Sequence, residues 1–166
     1  MILGSASGLR PHGNQLWSQS EVGVSGLQTW GFLGASLTAG DFDADGNADV
    51  AIGIGTKDIM GTENSGAVQV MYGNDSGLTA TGNRVWYQGG SGILEAPEYR
   101  DYFAEEALVA GDFTGDGTSD LVISVPYEDL AAIESAGVIH VLYSTAEIFA
   151  SGFESGGTGD WSDHSP

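Results

Sequence analysis

The chain has 166 residues, of which 41% are hydrophobic, and this length and composition suit one ordinary globular domain. Its 23 acidic residues outnumber 4 basic ones, and the net charge of −19 excludes a nucleic-acid backbone or an anionic membrane surface as the natural partner. The chain has no cysteine, which excludes disulfides and thiolate metal sites. No apolar run approaches the roughly 20 residues that span a membrane, so membrane insertion is not expected.

The sequence contains an internal repeat. The segment GDFDADGNADVAIG at 40–53 aligns with GDFTGDGTSDLVIS at 111–124. Farther along, GAVQVMY at 66–72 aligns with GVIHVLY at 137–143. Agreement over this many ordered positions indicates tandem copies of one structural unit.

The N-terminal segment matches the end of the first copy. GSASGLRPHGNQLWSQ at 4–19 resembles GNDSGLTATGNRVWYQ at 73–88. We therefore expect the chain to begin within the last part of a preceding unit, and Gln15–Ser18 is predicted to be an orphan fourth strand. We expect the whole to be a window from a longer array.

Short apolar runs between glycine-rich turns predict four strands for each copy. In the first copy the predicted strands are Leu33–Ala39, Asp49–Ile54, Ala67–Tyr72 and Arg84–Tyr87. In the second copy only three strands recur, at Ala104–Ala110, Asp120–Val125 and Gly137–Tyr143.

A four-stranded unit in tandem predicts an all-β fold of β-propeller blades. Two blades leave two open faces, so we expect further blades in the same chain or self-association of copies. The predicted organisation begins with the end of a preceding repeat, an orphan strand, at 1–19, which is followed by a first blade at 20–88. A second blade without its last strand follows at 89–145, and a flexible acidic Gly/Ser-rich tail at 146–166.

The first Asp-rich loop, DFDADGNAD at 41–49, has the spacing DxDxDGxxD. Ca²⁺ takes about six to eight oxygen ligands, and one short loop supplies them when alternate residues turn inward. Gly46 permits the positive-φ turn that folds the loop round the ion. The predicted ligands are the carboxylates of the four aspartates and the carbonyl of one asparagine: Asp41, Asp43, Asp45, Asp49 and Asn47.

The second loop, DFTGDGTSD at 112–120, has a threonine where the first has its second aspartate. With one carboxylate fewer, it is predicted to bind Ca²⁺ more weakly, so about two ions are expected in all. An EF-hand is excluded because strands flank both loops and the twelfth position is an isoleucine. The predicted ligands are Asp112, Thr114, Asp116, Thr118 and Asp120.

With these loops and strands, the sequence resembles the FG-GAP repeat family, the propeller repeats of integrin α-subunits and many bacterial extracellular proteins. Leu33-Gly34, preceded by Phe32, stands for the family's first aromatic-Gly pair, and Phe103-Ala104 replaces it in the second copy. Val125-Pro126 fits the family's Gly-Ala-Pro-like turn, whereas Ile54-Gly55 lacks the proline. The resemblance implies a propeller of about seven blades with cations on one face, and a role in adhesion or extracellular binding.

Two tryptophans, an acidic stretch and three histidines also stand out in the sequence, and none of them is predicted to be catalytic. Trp17 and Trp86 occupy matching positions, which favours a repeated packing role. The acidic stretch Glu95–Glu106 is predicted to be a solvated loop. The three histidines are isolated from one another, so no catalytic histidine set is predicted.

The leading hypothesis is a non-enzymatic, calcium-binding propeller segment of an extracellular or cell-surface protein. It would have a structural or adhesive role toward an unknown protein or carbohydrate ligand. One alternative is an enzyme that acts on polysaccharide from a propeller scaffold, for which the four basic residues offer little catalytic material. Another is an interaction module that has lost metal binding.

Overall fold

The computed structural model describes residues 8–9, 13–20, 31–90 and 92–144, and every structural statement below concerns those ranges. Within them, seven strands form two antiparallel sheets. The described residues contain no helix, and therefore no helix that is long and apolar enough to cross a bilayer. The first sheet consists of β1 Leu37–Gly40, β2 Asp49–Ile54, β3 Ala67–Tyr72 and β4 Thr79–Trp86. The second consists of β5 Leu108–Gly111, β6 Asp120–Val125 and β7 Val138–Leu142.

Each sheet is a simple meander, with strand order β1-β2-β3-β4 in the first and β5-β6-β7 in the second. The registers repeat as well, since Leu37 lies opposite Ile52 in the first sheet and Leu108 lies opposite Ile123 in the second. The predicted all-β fold is confirmed, and the two sheets are consistent with incomplete propeller blades. The unit boundaries drawn from the sequence stay predictions, and the predicted tail lies outside the described residues.

The first strand of each sheet begins later than the sequence suggested. β1 starts at Leu37 because Gly34 has a φ of 93° and donates its amide to the carbonyl of Gly53 at 3.0 Å. β5 starts at Leu108 because Ala104 has a φ of 65°. A residue with left-handed φ interrupts the extended backbone of a strand, and the hydrophobic pattern of the sequence does not reveal such a residue.

The predicted orphan strand Gln15–Ser18 is not a strand, because residues 13–20 contain none. Its Gln15 side chain nevertheless pairs with the backbone of the first sheet. The Nε2 atom donates to the carbonyl of Leu78 at 2.9 Å, and Oε1 accepts the Leu78 amide at 3.0 Å. A side-chain amide thus supplies the two hydrogen bonds that a neighbouring strand would make.

The two central strands of the first sheet, β2 and β3, are buried on both faces. Ala51, Val68 and Val70 point into a core shared with β5 and β6. The alternate residues Ile52 and Met71 point the other way, into a second core. Near-continuous burial of β2 and β3 follows from this arrangement, since successive side chains point to opposite faces.

Trp17 and Trp86 occupy these two cores. Trp17 packs against the core on the outer face of the first sheet, and Trp86 packs against the core between the two sheets. The predicted packing role of the matching tryptophans is therefore confirmed. Residues 13–20 cover the first sheet on the side opposite to the second repeat.

Close backbone approach docks the two sheets. A Cβ on Gly53 would lie 2.0 Å from the carbonyl oxygen of Ala104, so only glycine fits at this position. The Phe103 amide donates to the carbonyl of Ser65 at 2.9 Å, and the Phe103 side chain is fully buried. The link between the repeats is thus a rigid contact.

Two carboxyl groups are buried near this contact. Asp101 is 1% exposed and accepts the Glu98 amide at 2.5 Å, so the prediction that the acidic stretch is a solvated loop is wrong at this residue. Glu128 is also 1% exposed and accepts a hydrogen bond from Gln88 Nε2 at 2.5 Å. Burial raises the pKa of Glu128 despite that hydrogen bond, and the charges of Asp101, Glu98 and Glu95 raise it further.

Replacement of Glu128 by glutamine is expected to stabilise the protein in a pH-dependent way. An acid whose pKa rises on folding contributes stability that is full below its unfolded pKa of 4.5 and is lost as pH rises through the folded value. Glu128→Gln should therefore raise the free energy of unfolding at about pH 7 and have little effect at about pH 4. Urea unfolding across this range measures the difference; the exposed Glu106→Gln variant is the control. A pH-independent effect of Glu128→Gln would contradict the assignment.

Candidate metal-binding loops

The two Asp-rich loops connect β1 to β2 and β5 to β6 along the same backbone path. In the first loop Ala44 and Gly46 have positive φ, at 61° and 87°, so the turn predicted at Gly46 is confirmed. This turn brings the Gly46 amide to Asp41, whose Oδ2 accepts it at 3.0 Å. The second loop has glycines with positive φ at both corresponding positions, Gly115 and Gly117.

The last aspartate of each loop binds backbone amides. Asp49 is fully buried; its Oδ2 accepts the Phe42 amide at 2.7 Å and its Oδ1 accepts the Gly73 amide at 2.8 Å. Asp120 binds an amide of its own loop in the same way and accepts the Ser144 amide at 3.0 Å. These carboxylates tie the loop to the end of the third strand, a role that the sequence analysis missed. The signal was the aspartate directly before an apolar strand in both copies.

Three carboxylates of the first loop converge. One oxygen from each of Asp41, Asp43 and Asp49 lies within 4.8 Å of the others. Two oxygens bound to one Ca²⁺ are at most about 5 Å apart, so this separation fits a shared ion. Asp49 can take part although its oxygens accept amides, because each carboxylate oxygen has a second lone pair.

The hydrogen bonds of the cluster do not compensate all of its negative charge. Asp41 Oδ1 is buried and has no hydrogen-bond partner. Burial raises the pKa of Asp43, and the charges of Asp45 and Asp41 raise it further. Burial also raises the pKa of Asp49, with added repulsion from Asp43 and Asp41. The donor set is all oxygen, which suits a hard divalent cation such as Ca²⁺.

One predicted ligand of this loop, Asp45, lies outside the three-carboxylate cluster. Asp45 is exposed, and its two oxygens accept hydrogen bonds from the amide and the side chain of Asn47, at 2.7 and 3.0 Å. The Asn47 side-chain bond is the main reason that the pKa of Asp45 is lowered. The structure thus brings together three of the four aspartates predicted for this loop, and ligation by the Asn47 carbonyl stays a prediction.

In the second loop, carboxylate oxygens accept hydrogen bonds from groups of the same loop. Asp112 Oδ1 accepts the amides of Gly115 and Asp116, at 2.6 and 3.1 Å. The Thr118 hydroxyl donates to Asp116 Oδ1 at 2.6 Å, and the Thr114 hydroxyl lies 3.5 Å from Asp112. Among the described residues, a cluster of three carboxylates forms in the first loop alone.

The two loops contact each other. The Asp41 carbonyl accepts the Ser119 amide at 2.7 Å, and the Asp41 amide donates to the Ser119 hydroxyl at 3.2 Å. Asp41 therefore belongs to the carboxylate cluster and to the contact between repeats at the same time. Order in the first loop is coupled by this pair of bonds to the position of the second.

Tandem antiparallel sheets with an Asp-rich loop between their first two strands define a blade-type repeat protein. Residues 33–71 and 106–142 match the model of the FG-GAP repeat. The chain therefore carries two FG-GAP repeats, as the sequence resemblance indicated. Its bacterial origin stays a prediction.

Curated relatives contain a similar segment. The phosphatidylinositol-glycan-specific phospholipase D of Rattus norvegicus is 28% identical over 146 residues, which is 87% of this chain and 16% of that protein. The protein of the same name from Mus musculus is 30% identical over 115 residues, 69% of this chain and 13% of that protein. The chain thus spans a small part of the length of these relatives.

Replacement of Gly115 by alanine is expected to lower the free energy of unfolding by about 1 kcal/mol, because a non-glycine residue is disfavoured in the left-handed region. An added Cβ would meet nothing within 4 Å, so the backbone alone carries the cost. Gly115→Asn should cost less, since asparagine tolerates this conformation. Urea unfolding of both variants is the measurement, and equal losses would contradict this explanation.

Replacement of Asp49 by asparagine is expected to destabilise the protein even in calcium-free buffer, by about 2 kcal/mol, because the amide nitrogen cannot accept one of the two backbone hydrogen bonds. Asp45→Asn, at an exposed position in the same loop, is the matched control and should have a small effect. Thermal unfolding with chelator present measures both. An Asp49→Asn variant as stable as the parent would show that the backbone bonds contribute little.

Proposed function

We propose that this chain is a calcium-stabilised propeller segment of an extracellular or cell-surface protein, with a structural and binding role. The observation that supports it most is the Asp41, Asp43 and Asp49 cluster, in which the buried Asp41 Oδ1 has no hydrogen-bond partner. A bound Ca²⁺ would satisfy that oxygen and relieve the repulsion among the three carboxylates. The FG-GAP match adds support, since repeats of this type often bind calcium.

The first loop would hold the tighter ion. Its three clustered carboxylates would be joined by the Asn47 carbonyl and by Asp45, and Asp45 would first have to leave its hydrogen bonds to Asn47. The second loop would bind more weakly, through Asp112, Asp116 and Asp120 with the hydroxyls of Thr114 and Thr118. Its acceptors would first have to leave the internal hydrogen bonds that they make now.

The ion would act as a clip between strands and between repeats. It would fix Asp41, which also bonds Ser119 of the second loop. Extracellular calcium modules bind with dissociation constants of about 10⁻⁴–10⁻³ M. At one to ten times that constant, each site adds about 0.4–1.4 kcal/mol. This is a useful increment for repeats that depend on their neighbours.

We do not assign an enzymatic activity to this segment. The relatives are named as phospholipases, yet the matched part is 16% or less of their length. No observation favours the alternative of a polysaccharide-acting enzyme. The predicted binding partner is a protein or a carbohydrate, and it stays a proposal.

Calcium addition is expected to raise the melting temperature of the chain, and EGTA is expected to reverse the rise. Asp43→Asn should abolish most of this response, because it removes the charge of a clustered carboxylate while its side-chain oxygen can still accept the Asp45 amide. Calorimetric titration with CaCl₂ should show one tighter and one weaker site. Differential scanning calorimetry with and without calcium is the decisive comparison.

Asp75→Asn is the control for charge alone, since Asp75 is exposed and lies outside both loops. It should keep the full calcium response. Mg²⁺ in place of Ca²⁺ tests whether the loop selects the larger ion. A melting temperature that is the same in calcium and in EGTA for the parent chain would overturn the proposal.

A further inference from the structure

A polar cleft of about 480 Å³ lies at the end of the second sheet away from its Asp-rich loop. The Asp112–Asp120 loop leads into the start of β6, whereas this cleft is formed beyond the end of β6 and beside the connection between the repeats. Its walls combine phenol rings with a guanidinium and carboxylates, contributed mainly by Tyr99, Arg100, Tyr102, Tyr127, Asp129 and Glu134.

An unusual backbone forms one wall. Arg100, Tyr102 and Ala104 have positive φ, at 67°, 54° and 65°, and alternate with residues that do not. Asp101 and Phe103 are 1% and 0% exposed, whereas Arg100 and Tyr102 open onto the cleft, whose lining also includes Asp101. Non-glycine residues hold such conformations only where the surroundings impose them, and such strain concentrates at binding sites.

Hydrogen bonds from both repeats hold this wall in place. The amides of Arg100 and Tyr102 donate to the carbonyls of Glu63 and Asn64 in the first repeat, at 3.1 and 3.2 Å. The Ala104 amide donates to the carbonyl of Ser124 in the second repeat at 3.0 Å. The cleft is therefore preorganised and exists only where the two repeats meet.

The ring pair in the cleft is specific to the second repeat. Tyr102 and Tyr127 meet edge to face, with ring centroids 5.5 Å apart. The position of Tyr127 in the first repeat is occupied by Thr56, although the neighbouring Asp58 and Asp129 keep the same role of accepting a loop amide. Because the loop folds the same way with threonine, the fold does not require this tyrosine, which is 46% exposed.

The polar groups of the cleft are open to a ligand. The Arg100 guanidinium lies over the ring of Tyr99, 4.8 Å from its centroid, and both Arg100 and Glu134 are exposed. Tyr99 is 60% exposed. The cleft thus offers ring faces, hydrogen-bond donors and hydrogen-bond acceptors side by side.

We infer that this cleft binds a saccharide. A sugar ring has an apolar C–H face, which packs on a phenol ring, and a rim of hydroxyls that both donate and accept hydrogen bonds. Arg100 would donate to hydroxyl oxygens, while Asp129 and Glu134 would accept from hydroxyls.

Nucleotides and acidic sugars are disfavoured by the carboxylates of the cleft and the net charge of −19. The same carboxylates would attract a basic peptide, so a Lys/Arg-rich peptide is included in the test below. The inference goes beyond the calcium proposal, because the site lies at the other end of β6.

The test is calorimetric titration of the full chain with hexasaccharides of glucose, N-acetylglucosamine and mannose at millimolar concentration. At least one should bind saturably, and Tyr127→Thr should weaken that binding about tenfold or more, equivalent to about 1.4 kcal/mol. Thr is the residue that the first repeat carries, so the variant is expected to fold. Arg100→Gln is a second variant that keeps the ring pair and should also weaken binding.

Tyr143→Ala is the matched control, because Tyr143 is 62% exposed and lies outside this cleft, and it should bind sugar like the parent. Titrations in calcium and in EGTA, with circular dichroism as the folding check, separate this site from the metal loops: lost calcium binding with retained sugar binding contradicts only the calcium proposal. Three results would overturn the inference. They are no binding of any hexasaccharide, unchanged affinity in folded Tyr127→Thr, and binding of a Lys/Arg-rich decapeptide without binding of any sugar.

Discussion

A β-sheet with apolar side chains on both faces has to be covered twice, and this constraint organises the whole molecule. The first sheet meets it by packing one face on the second repeat and the other on residues 13–20. Trp86 and Trp17 supply the large side chains for the two contacts. The features that matter for function, the Asp-rich loops and the polar cleft, lie at the ends of the strands that this packing fixes.

The aspartates of each loop divide between two tasks. Asp49 and Asp120 are buried and accept backbone amides, so they fold the loop with or without an ion. Asp41 and Asp43 each accept one amide of the first loop, yet Asp41 Oδ1 has no partner, and these two carboxylates form the three-carboxylate cluster with Asp49. The second loop has Thr114 at the position of Asp43, and both oxygens of Asp112 accept amides of its own loop. The two loops differ at four positions, and the change from Asp43 to Thr114 is the one that removes a carboxylate from the cluster.

The contact between repeats does more than bury area. It joins the two Asp-rich loops through Asp41 and Ser119 at one end of the strands. At the other end it imposes the alternating backbone of Arg100–Ala104, which positions the rings and the guanidinium of the cleft. Both candidate sites are therefore sensitive to how the sheets dock, and a glycine at position 53 is what permits that docking distance.

The repeat, the all-β class and the positions of the Asp-rich loops could all be predicted from the sequence. These follow from local information: period-two hydrophobicity, glycine-rich turns and aspartates at alternate positions. Tertiary contacts determine which carboxylates converge, that Asp101 and Glu128 are buried, and that residues 13–20 pair through the Gln15 side chain. They also produce the cleft, because Tyr102 and Tyr127 come from segments that meet only when the connection between repeats packs against β6. Burial and convergence depend on contacts between residues far apart in the chain, and spacing along the sequence does not encode those contacts.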